Sequence, residues 1–206
     1  MSNSPRRALI VIDVQHEYLG GNLPIEYPDV QQSLGNIARA MDAAHAQDMP
    51  IVLVQQLAPA DSPLFPRGSY NAALHPTVAE RPHDLRLEKS LPSALAATEL
   101  GQWLRARDVD TLTVVGYMTH NCNDSTIRQA VHEGWQVEYL HDASGSVSYR
   151  NRAGAASAED IHRVFCVVLQ SRFAAVMSTD EWLQILKSGA RPERDNIYQS
   201  NQRARS

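Results

Sequence analysis

Cysteine and lysine are scarce in this 206-residue chain, and both scarcities are informative. The two cysteines, Cys122 and Cys166, are too few for a disulfide framework and favour a reducing compartment, so we expect a cytoplasmic protein. Of the 19 basic residues, only Lys89 and Lys187 are lysines. A lysine kept at position 89 in an arginine-using chain suggests that a compact ammonium group is needed there.

Other absences exclude whole classes of protein. No long basic run is present and the formal net charge is −4, which argues against a nucleic-acid-binding surface. No apolar stretch is long enough to cross a membrane, and no signal-type apolar region follows the polar start. No Gly-x-Gly-x-x-Gly follows a predicted strand, so a dinucleotide cofactor is not expected. The expected partner is therefore a small-molecule substrate.

The chain does contain a regular alternation of strand and helix patterns. Short apolar, β-branched runs predict buried strands, and apolar residues spaced by three and four predict helices between them. This alternation predicts an α/β domain with a mainly parallel sheet covered on both faces, which we assign to residues 1–190. The predicted strands are residues 8–14, 51–54, 85–88, 111–115, 137–140 and 174–177.

Three segments depart from this alternation. Residues 57–84 carry five prolines, which predicts a lid over a site or, equally, a subunit contact, with Phe65, Arg67 and Tyr70 as its contacts. Residues 143–156 are small and polar and predict a loop. The arginine-bearing tail, residues 191–206, has little to bury and is either disordered or an arm onto a neighbouring subunit. We therefore expect a homo-oligomer.

Residues 111–134 form the stretch around which the chain is organised. A buried strand is followed by a tight loop and a helix, and Cys122 falls where the helix should begin. Free N–H groups and the positive end of the helix dipole favour a thiolate, so Cys122 is a candidate nucleophile with a lowered pKa. The alternative is a small buried residue at a helix start.

Two other chemically able residues end predicted strands. Asp13 follows an apolar run, and Lys89 follows a short alternating strand. The carboxyl ends of parallel strands share one edge of the sheet, where α/β proteins build their sites. If the groups meet, Asp13 can take the thiol proton and return it to a leaving amine, while Lys89 offsets the carboxylate and favours the thiolate. Alternatively, Asp13 only caps the turn that follows it.

The sequence around these residues resembles the isochorismatase-like cysteine hydrolases. The resemblance rests on Asp13 in Val-Ile-Asp-Val-Gln, on Lys89 in Glu-Lys-Ser-Leu-Pro-Ser-Ala, and on the Gly-x-x-Thr-x-x-Cys-x-x-x-Thr-x-Arg pattern around Cys122, and it covers about residues 6–188. It implies a three-layer αβα sandwich of about six strands, Rossmann-like in layout. It also implies an Asp13, Lys89 and Cys122 triad that hydrolyses C–N bonds through a thioester.

The resemblance further implies a cis peptide between Tyr117 and Met118. Such a bond would turn the backbone N–H groups of Met118 and Cys122 towards a developing oxyanion. We assign substrate binding to residues in or beside these motifs: Gln15, Tyr18, Gln56, Tyr117 and Thr119.

The chain also departs from its relatives. Nicotinamidases of this superfamily carry an Asp-x-His metal motif after their second strand, where this chain has Gln55-Gln56-Leu57-Ala58-Pro59. His75 and His83 show no recognisable metal spacing, so we expect neither a metal nor another cofactor. After Cys122 the family has an apolar residue, but here Asn123-Asp124 makes a more polar site conceivable.

The expected activity is hydrolysis of a small amide, ureido or lactam compound with Cys122 as nucleophile. Two alternatives stay open. Isochorismatases proper cleave a vinyl ether and lack the cysteine, so such a reaction would use Asp13 alone and survive loss of the thiol. A non-catalytic assembly protein that retains the fold would have a Cys122 of ordinary reactivity.

Overall fold

The computed structural model describes residues 4–206 and contains a six-stranded, wholly parallel sheet with helices on both faces. The strand order is β3-β2-β1-β4-β5-β8, and a separate two-stranded hairpin pairs β6 with β7. Among the described residues, no helix is long and apolar enough to cross a membrane.

The strands are β1 (Arg7–Ile12), β2 (Ile51–Gln56), β3 (Leu85–Lys89), β4 (Thr111–Tyr117), β5 (Gln136–Gly145), β6 (Tyr149–Asn151), β7 (Gly154–Ala156) and β8 (Ala175–Met177). The helices are α1 (Glu17–Gly20), α2 (Val30–His45), α3 (Pro76–Ala79), α4 (Leu100–Arg105), α5 (Asp124–His132), α6 (Ala158–Gln170), α7 (Thr179–Ser188) and α8 (Ile197–Arg205). A π-helical turn, Thr119–Asn123, precedes α5.

Side chains of the central strands alternate between two apolar cores. In β1, Leu9 and Val11 pack with α2 and α7, whereas Ile10 and Ile12 pack with α4, α5 and α6. Each strand is therefore buried on both faces, which explains why its sequence is continuously apolar. The three-layer α/β fold and the six predicted strands are confirmed.

Helix caps fix where several of these layers begin. The Ser178 side chain accepts a hydrogen bond from the Glu181 N–H, and Glu181 reciprocates at the Ser178 N–H, which forms a capping box at α7. Ser157 likewise accepts from the Asp160 N–H at the start of α6. Both helices thus begin at a serine that is followed three residues later by an acidic residue.

The structure differs from the sequence prediction in two segments. Residues 143–156 are not simply a loop, because β5 continues to Gly145 and the β6–β7 hairpin follows it. The tail contains a helix that the sequence did not predict, α8, with Asn196 as its N-cap and no buried residue. The tail's proposed role as an arm onto a neighbouring subunit stays a prediction.

Candidate active site

Three strands of the sheet, β1, β3 and β4, bring Asp13, Lys89 and Cys122 to one edge of it. Asp13 directly follows β1, Lys89 ends β3, and Cys122 lies in the π-helical turn after β4. Gly116 is required for this convergence, since a Cβ there would lie 2.0 Å from the Ile12 carbonyl oxygen. Its φ of 104° also lies in the region that favours glycine. The close approach of β4 to β1 places the π-helical turn that contains Cys122, here called the nucleophile turn, beside Asp13.

The Lys89 ammonium group links the other two members of the cluster. Its Nζ lies 2.7 Å from Oδ2 of Asp13 and 3.2 Å from Sγ of Cys122. Both ends of the ion pair are fully buried, and Nζ also donates to Oε1 of Gln56 at 2.7 Å. The predicted triad residues are therefore in mutual contact.

Burial and mutual charge set the ionisation of this ion pair. Burial raises the pKa of Asp13, while the Lys89 charge and hydrogen bonds from Lys89 and Cys122 hold it down. Burial alone would lower the pKa of Lys89, but Asp13 and Cys122 raise it instead. The lysine is therefore a fixed cation, and the carboxylate is a base with a raised pKa that suits proton exchange.

The pKa of the Cys122 thiol is raised, which reverses the expectation from the sequence. Burial is the largest cause and the Asp13 charge the second, while Lys89 opposes both. The position of the residue contributes as well, because the π-helical turn begins at Thr119 and α5 continues it. Cys122 thus lies inside a continuous helical segment, where the N-terminal dipole effect is weaker than at the first turn. This raised pKa favours the thiol over the thiolate at Cys122.

A cavity of about 330 Å³ opens above Cys122. Its walls come from α1 and the segment after it, from the end of β2 and from residues 57–84. The segment after β3, the nucleophile turn and the β6–β7 hairpin complete them. The lining residues are Tyr18, Leu23, Gln56, Leu64, Phe65, Ser90, Pro92, Met118, Asn121, Cys122 and Tyr149.

Of the predicted binding residues, Tyr18 and Gln56 line this cavity, whereas Gln15 does not. The Gln15 side-chain amide instead forms hydrogen bonds with backbone groups. Its Nε2 donates to the carbonyls of Gln56 and Ala72, and its Oε1 accepts from the Gln56 N–H. Gln15 therefore joins β2 to the lid, because its side chain points between these two segments.

Tyr117 and Thr119 also lie outside the cavity lining. The Tyr117 hydroxyl is 2.7 Å from Oγ of Ser33, beneath the sheet edge. Thr119 Oγ1 lies 2.8 Å from Nδ1 of His162 and accepts from the Tyr139 hydroxyl. The Tyr117–Met118 peptide bond is cis, as the resemblance implied. The assignment of the oxyanion hole to the N–H groups of Met118 and Cys122 stays a prediction, and both residues line the cavity.

Asn123 and Asp124 do not make the cavity more polar. Asn123 donates to the Gly116 carbonyl at 2.7 Å from a fully buried position. Asp124 forms an i,i+4 ion pair with Arg128 at 2.8 Å. Both polar side chains therefore brace the nucleophile turn and its helix instead of facing the substrate space.

Residues 57–84 contribute Leu64 and Phe65 to the cavity lining. Phe65 is buried at φ 52° and its ring lies 5.2 Å from that of Tyr18. Its N–H donates to the buried Glu17 carboxylate at 3.2 Å, which holds this unusual backbone conformation. Arg67 and Tyr70 face away, with Arg67 on Glu88 and Tyr70 largely exposed.

Tyr149, Leu23 and Leu64 are cavity residues that the sequence did not reveal. Tyr149 lies on the unpredicted hairpin, and the two leucines lie in irregular segments without periodicity. His75 and His83 serve their own loops, since His75 caps α3 and Nδ1 of His83 lies 2.9 Å from the Arg81 carbonyl oxygen. The described residues contain no group of three or more acidic, histidine or cysteine side chains placed to hold a metal ion.

Comparison with known proteins agrees with this fold and site. Residues 7–181 match the family model described as the isochorismatase domain, so the chain belongs to the isochorismatase family of hydrolases. The resemblance seen in the sequence is thereby confirmed.

Three relatives illustrate the range of this similarity. A crystal structure of an isochorismatase-type protein from Burkholderia xenovorans LB400 is 67% identical, covers 98% of both chains and has a TM-score of 0.98. The secreted isochorismatase effector Isc1 of Verticillium dahliae is 33% identical over 66% of this chain and 71% of its own length. The ureidoacrylate amidohydrolase RutB of Methylobacterium radiotolerans is 28% identical over 82% of this chain and 74% of its own.

Proposed function

We propose that the protein is a cysteine-dependent amidohydrolase that cleaves a C–N bond of a small amide, ureido or lactam compound through a thioester. One observation carries the proposal: a buried Lys89 ammonium group contacts both the Asp13 carboxylate and the sulfur of Cys122, which lines the cavity. A nucleophile hydrogen-bonded to a base that is itself oriented by a third group is the arrangement that covalent catalysis requires. The named activity of the amidohydrolase relative supports this reaction class.

The first half of the reaction follows from the charges. The Cys122 thiol is protonated at rest, so its proton passes to Asp13 as the sulfur attacks the carbonyl carbon and the S–C bond forms. Negative charge moves from the carboxylate to the carbonyl oxygen, and Lys89 remains cationic beside both. The N–H groups of Met118 and Cys122 are the proposed donors to this oxyanion.

The second half returns the site to its starting state. The oxyanion collapses, the C–N bond breaks, and the proton on Asp13 goes to the leaving nitrogen. A water molecule then attacks the thioester while Asp13 takes one of its protons, and the S–C bond breaks. Cys122 regains its proton from Asp13, and the products are an amine or ammonia and a carboxylic or carbamic acid, which for a lactam remain joined as a single amino acid.

The test is a hydrolysis panel of small amides, ureides and lactams, read by released amine or ammonia. Cys122→Ala should lower kcat/KM by about 10,000-fold or more, because removing a nucleophile removes the covalent path. The matched control is Cys166→Ala, which changes the other thiol and should leave the rate unchanged. Acid-quenched wild-type protein should also carry the mass of the acyl group.

Two outcomes would contradict the proposal. Hydrolysis of an ether substrate that survives Cys122→Ala would establish the thiol-independent reaction that Asp13 alone could perform. A protein that hydrolyses nothing in the panel, and whose Cys122 alkylates at the same rate with and without Asp13, would be the non-catalytic assembly protein.

A further inference from the structure

The walls of the active-site cavity carry no charge. None of the residues that line it is acidic, basic or a histidine, although the chain has 42 acidic and basic side chains (19 basic and 23 acidic). Three lining residues are aromatic, namely Tyr18, Phe65 and Tyr149, and Leu23 and Leu64 complete an apolar wall. The cavity therefore offers a substrate apolar contact and a few neutral hydrogen-bonding groups.

The charges beneath the cavity do not supply a free cation. Lys89 is paired with Asp13 at 2.7 Å, so the two formal charges cancel at the floor. Burial is the main reason why the pKa of the Tyr18 phenol is raised, and the negative charges of Asp13 and of the buried Glu17 raise it further. A bound anion would therefore meet no counter-charge on the cavity lining, and the nearby Lys89 is already paired.

The arginines of the lid segment are also committed elsewhere. Arg67 donates to Glu88 at 2.7 Å, and its side chain is 61% exposed. Arg81 forms an ion pair with Asp42 at 2.9 Å. Neither residue lines the cavity. Within residues 4–206, no unpaired cation thus stands at this site to receive a carboxylate.

From this arrangement we propose the substrate class: an uncharged amide, ureide or lactam bearing a compact apolar or aromatic group, with carboxylate-bearing analogues rejected. The proposal rests on the amidohydrolase function proposed above. A charge moved from water into such a cavity loses its hydration and gains no partner, which is costly. This chain would then differ in substrate from the ureidoacrylate amidohydrolases that it resembles.

Pairs of amides in which one member carries an added carboxylate group test the proposal. Benzamide is compared with 4-carbamoylbenzoate, and butyramide with succinamate, by ammonia release in wild type and by calorimetric binding to Cys122→Ala. The neutral member of each pair should show at least about 100-fold higher kcat/KM and tighter binding, since the carboxylate must be desolvated without a partner. Equal or better use of the carboxylates would overturn the proposal.

The two measurements separate this proposal from the one on which it rests. Tight binding of the neutral members without hydrolysis would contradict the amidohydrolase mechanism and support the binding class. If neither benzamide nor butyramide binds, the proposed class of uncharged substrates is contradicted.

Tyr149 offers a positive test, since it is 43% exposed on the hairpin and lines the cavity. Tyr149→Arg should shift the preference towards the carboxylate members by at least about tenfold, because it adds the missing cation at the wall. Tyr149→Met, the uncharged control, should keep the original preference. An unchanged preference in Tyr149→Arg would contradict the proposal, because the lack of a cation at the wall would then not be what excludes the carboxylates.

Discussion

At the scale of single residues, the Asp13 carboxylate and the Cys122 sulfur compete for one cation. Lys89 lies 2.7 Å from the carboxylate and 3.2 Å from the sulfur, and it cannot neutralise two full negative charges at once. The carboxylate is the anion at rest, and its charge helps raise the pKa of the thiol. The resting site therefore contains an Asp13–Lys89 ion pair beside a protonated thiol, and not an ion pair between a thiolate and the lysine.

This competition predicts opposite effects of Asp13→Asn on two measurements. Removing the carboxylate charge should lower the pKa of Cys122, so the pH midpoint of its alkylation by iodoacetamide should move down. Hydrolysis should nevertheless fall by about 100–10,000-fold, because the proton acceptor is lost. Peptide mapping separates Cys122 from Cys166, and Asp61→Asn on the exposed lid surface is the control.

Two results with Asp13→Asn would contradict this prediction. An alkylation midpoint that rises would mean that Asp13 stabilises the thiolate, and an unchanged hydrolysis rate would remove Asp13 from the mechanism.

At the scale of elements, the nucleophile turn is held from behind by a buried polar network. Thr119, the first residue of the π-helical turn, is 2.8 Å from Nδ1 of His162 on α6 and donates to the Gly145 carbonyl. Tyr139 of β5 donates to the same Thr119 hydroxyl. Two further elements thus fix the start of the turn, and such fully paired networks are rigid.

His162 makes this network sensitive to acid. Burial lowers the pKa of His162 to about 4, with His141 and His120 as further causes. An unfolded histidine titrates near 6.5, so between these values the unfolded chain binds more protons than the folded one. Stability from this group is therefore present above about pH 6.5 and lost as pH falls towards 4.

Unfolding by urea at pH 7 and pH 5 measures the effect. His162→Gln should reduce the loss of unfolding free energy between the two pH values by about 1–2 kcal/mol, because its amide does not titrate. His83→Gln, in an exposed loop, should behave like wild type. A His162→Gln variant with the full wild-type pH dependence would assign the acid sensitivity to other groups.

The elements also show what the sequence could and could not predict. Short apolar runs, and for β3 the alternation Leu85-Arg86-Leu87-Glu88, predicted the six strands, and the rule that parallel strands end at one edge brought Asp13, Lys89 and Cys122 together. The β6–β7 hairpin was missed because Gly154–Ala156 has neither the alternation nor the β-branched residues of a typical strand.

The pKa values and side-chain directions in the site were harder to predict than the identity of the residues that form it. The raised thiol pKa depends on burial by segments distant in sequence, which local motifs do not report. Gln15 and Thr119 carry polar side chains near the motifs, but tertiary packing turns both towards the protein. Spacing identifies which residues meet, whereas side-chain direction and solvation are properties of the assembled fold.

At the scale of the whole molecule, one helix face is unusually apolar for a surface. Val164, Val167 and Val168 of α6 are 46%, 63% and 40% exposed and lie three and four residues apart, so they form one stripe. Ile197 and Tyr198 of α8 are likewise more than half exposed. Contiguous exposed apolar surface commonly marks a site of association. The homo-oligomer expected from the tail stays a prediction, and these two surfaces give it a place to form.

We expect light scattering of the wild-type protein to give at least twice the chain mass of 22.9 kDa. Val167→Asp places a charge in the α6 stripe and should shift the mass towards the single chain, because burying an unpaired charge opposes association. Removal of residues 191–206 tests the tail in the same way, and His83→Asp adds the same charge to an exposed loop as the control. A wild-type mass of one chain at every concentration would refute self-association. An oligomer that withstands both Val167→Asp and the truncation would instead place the contact on another face.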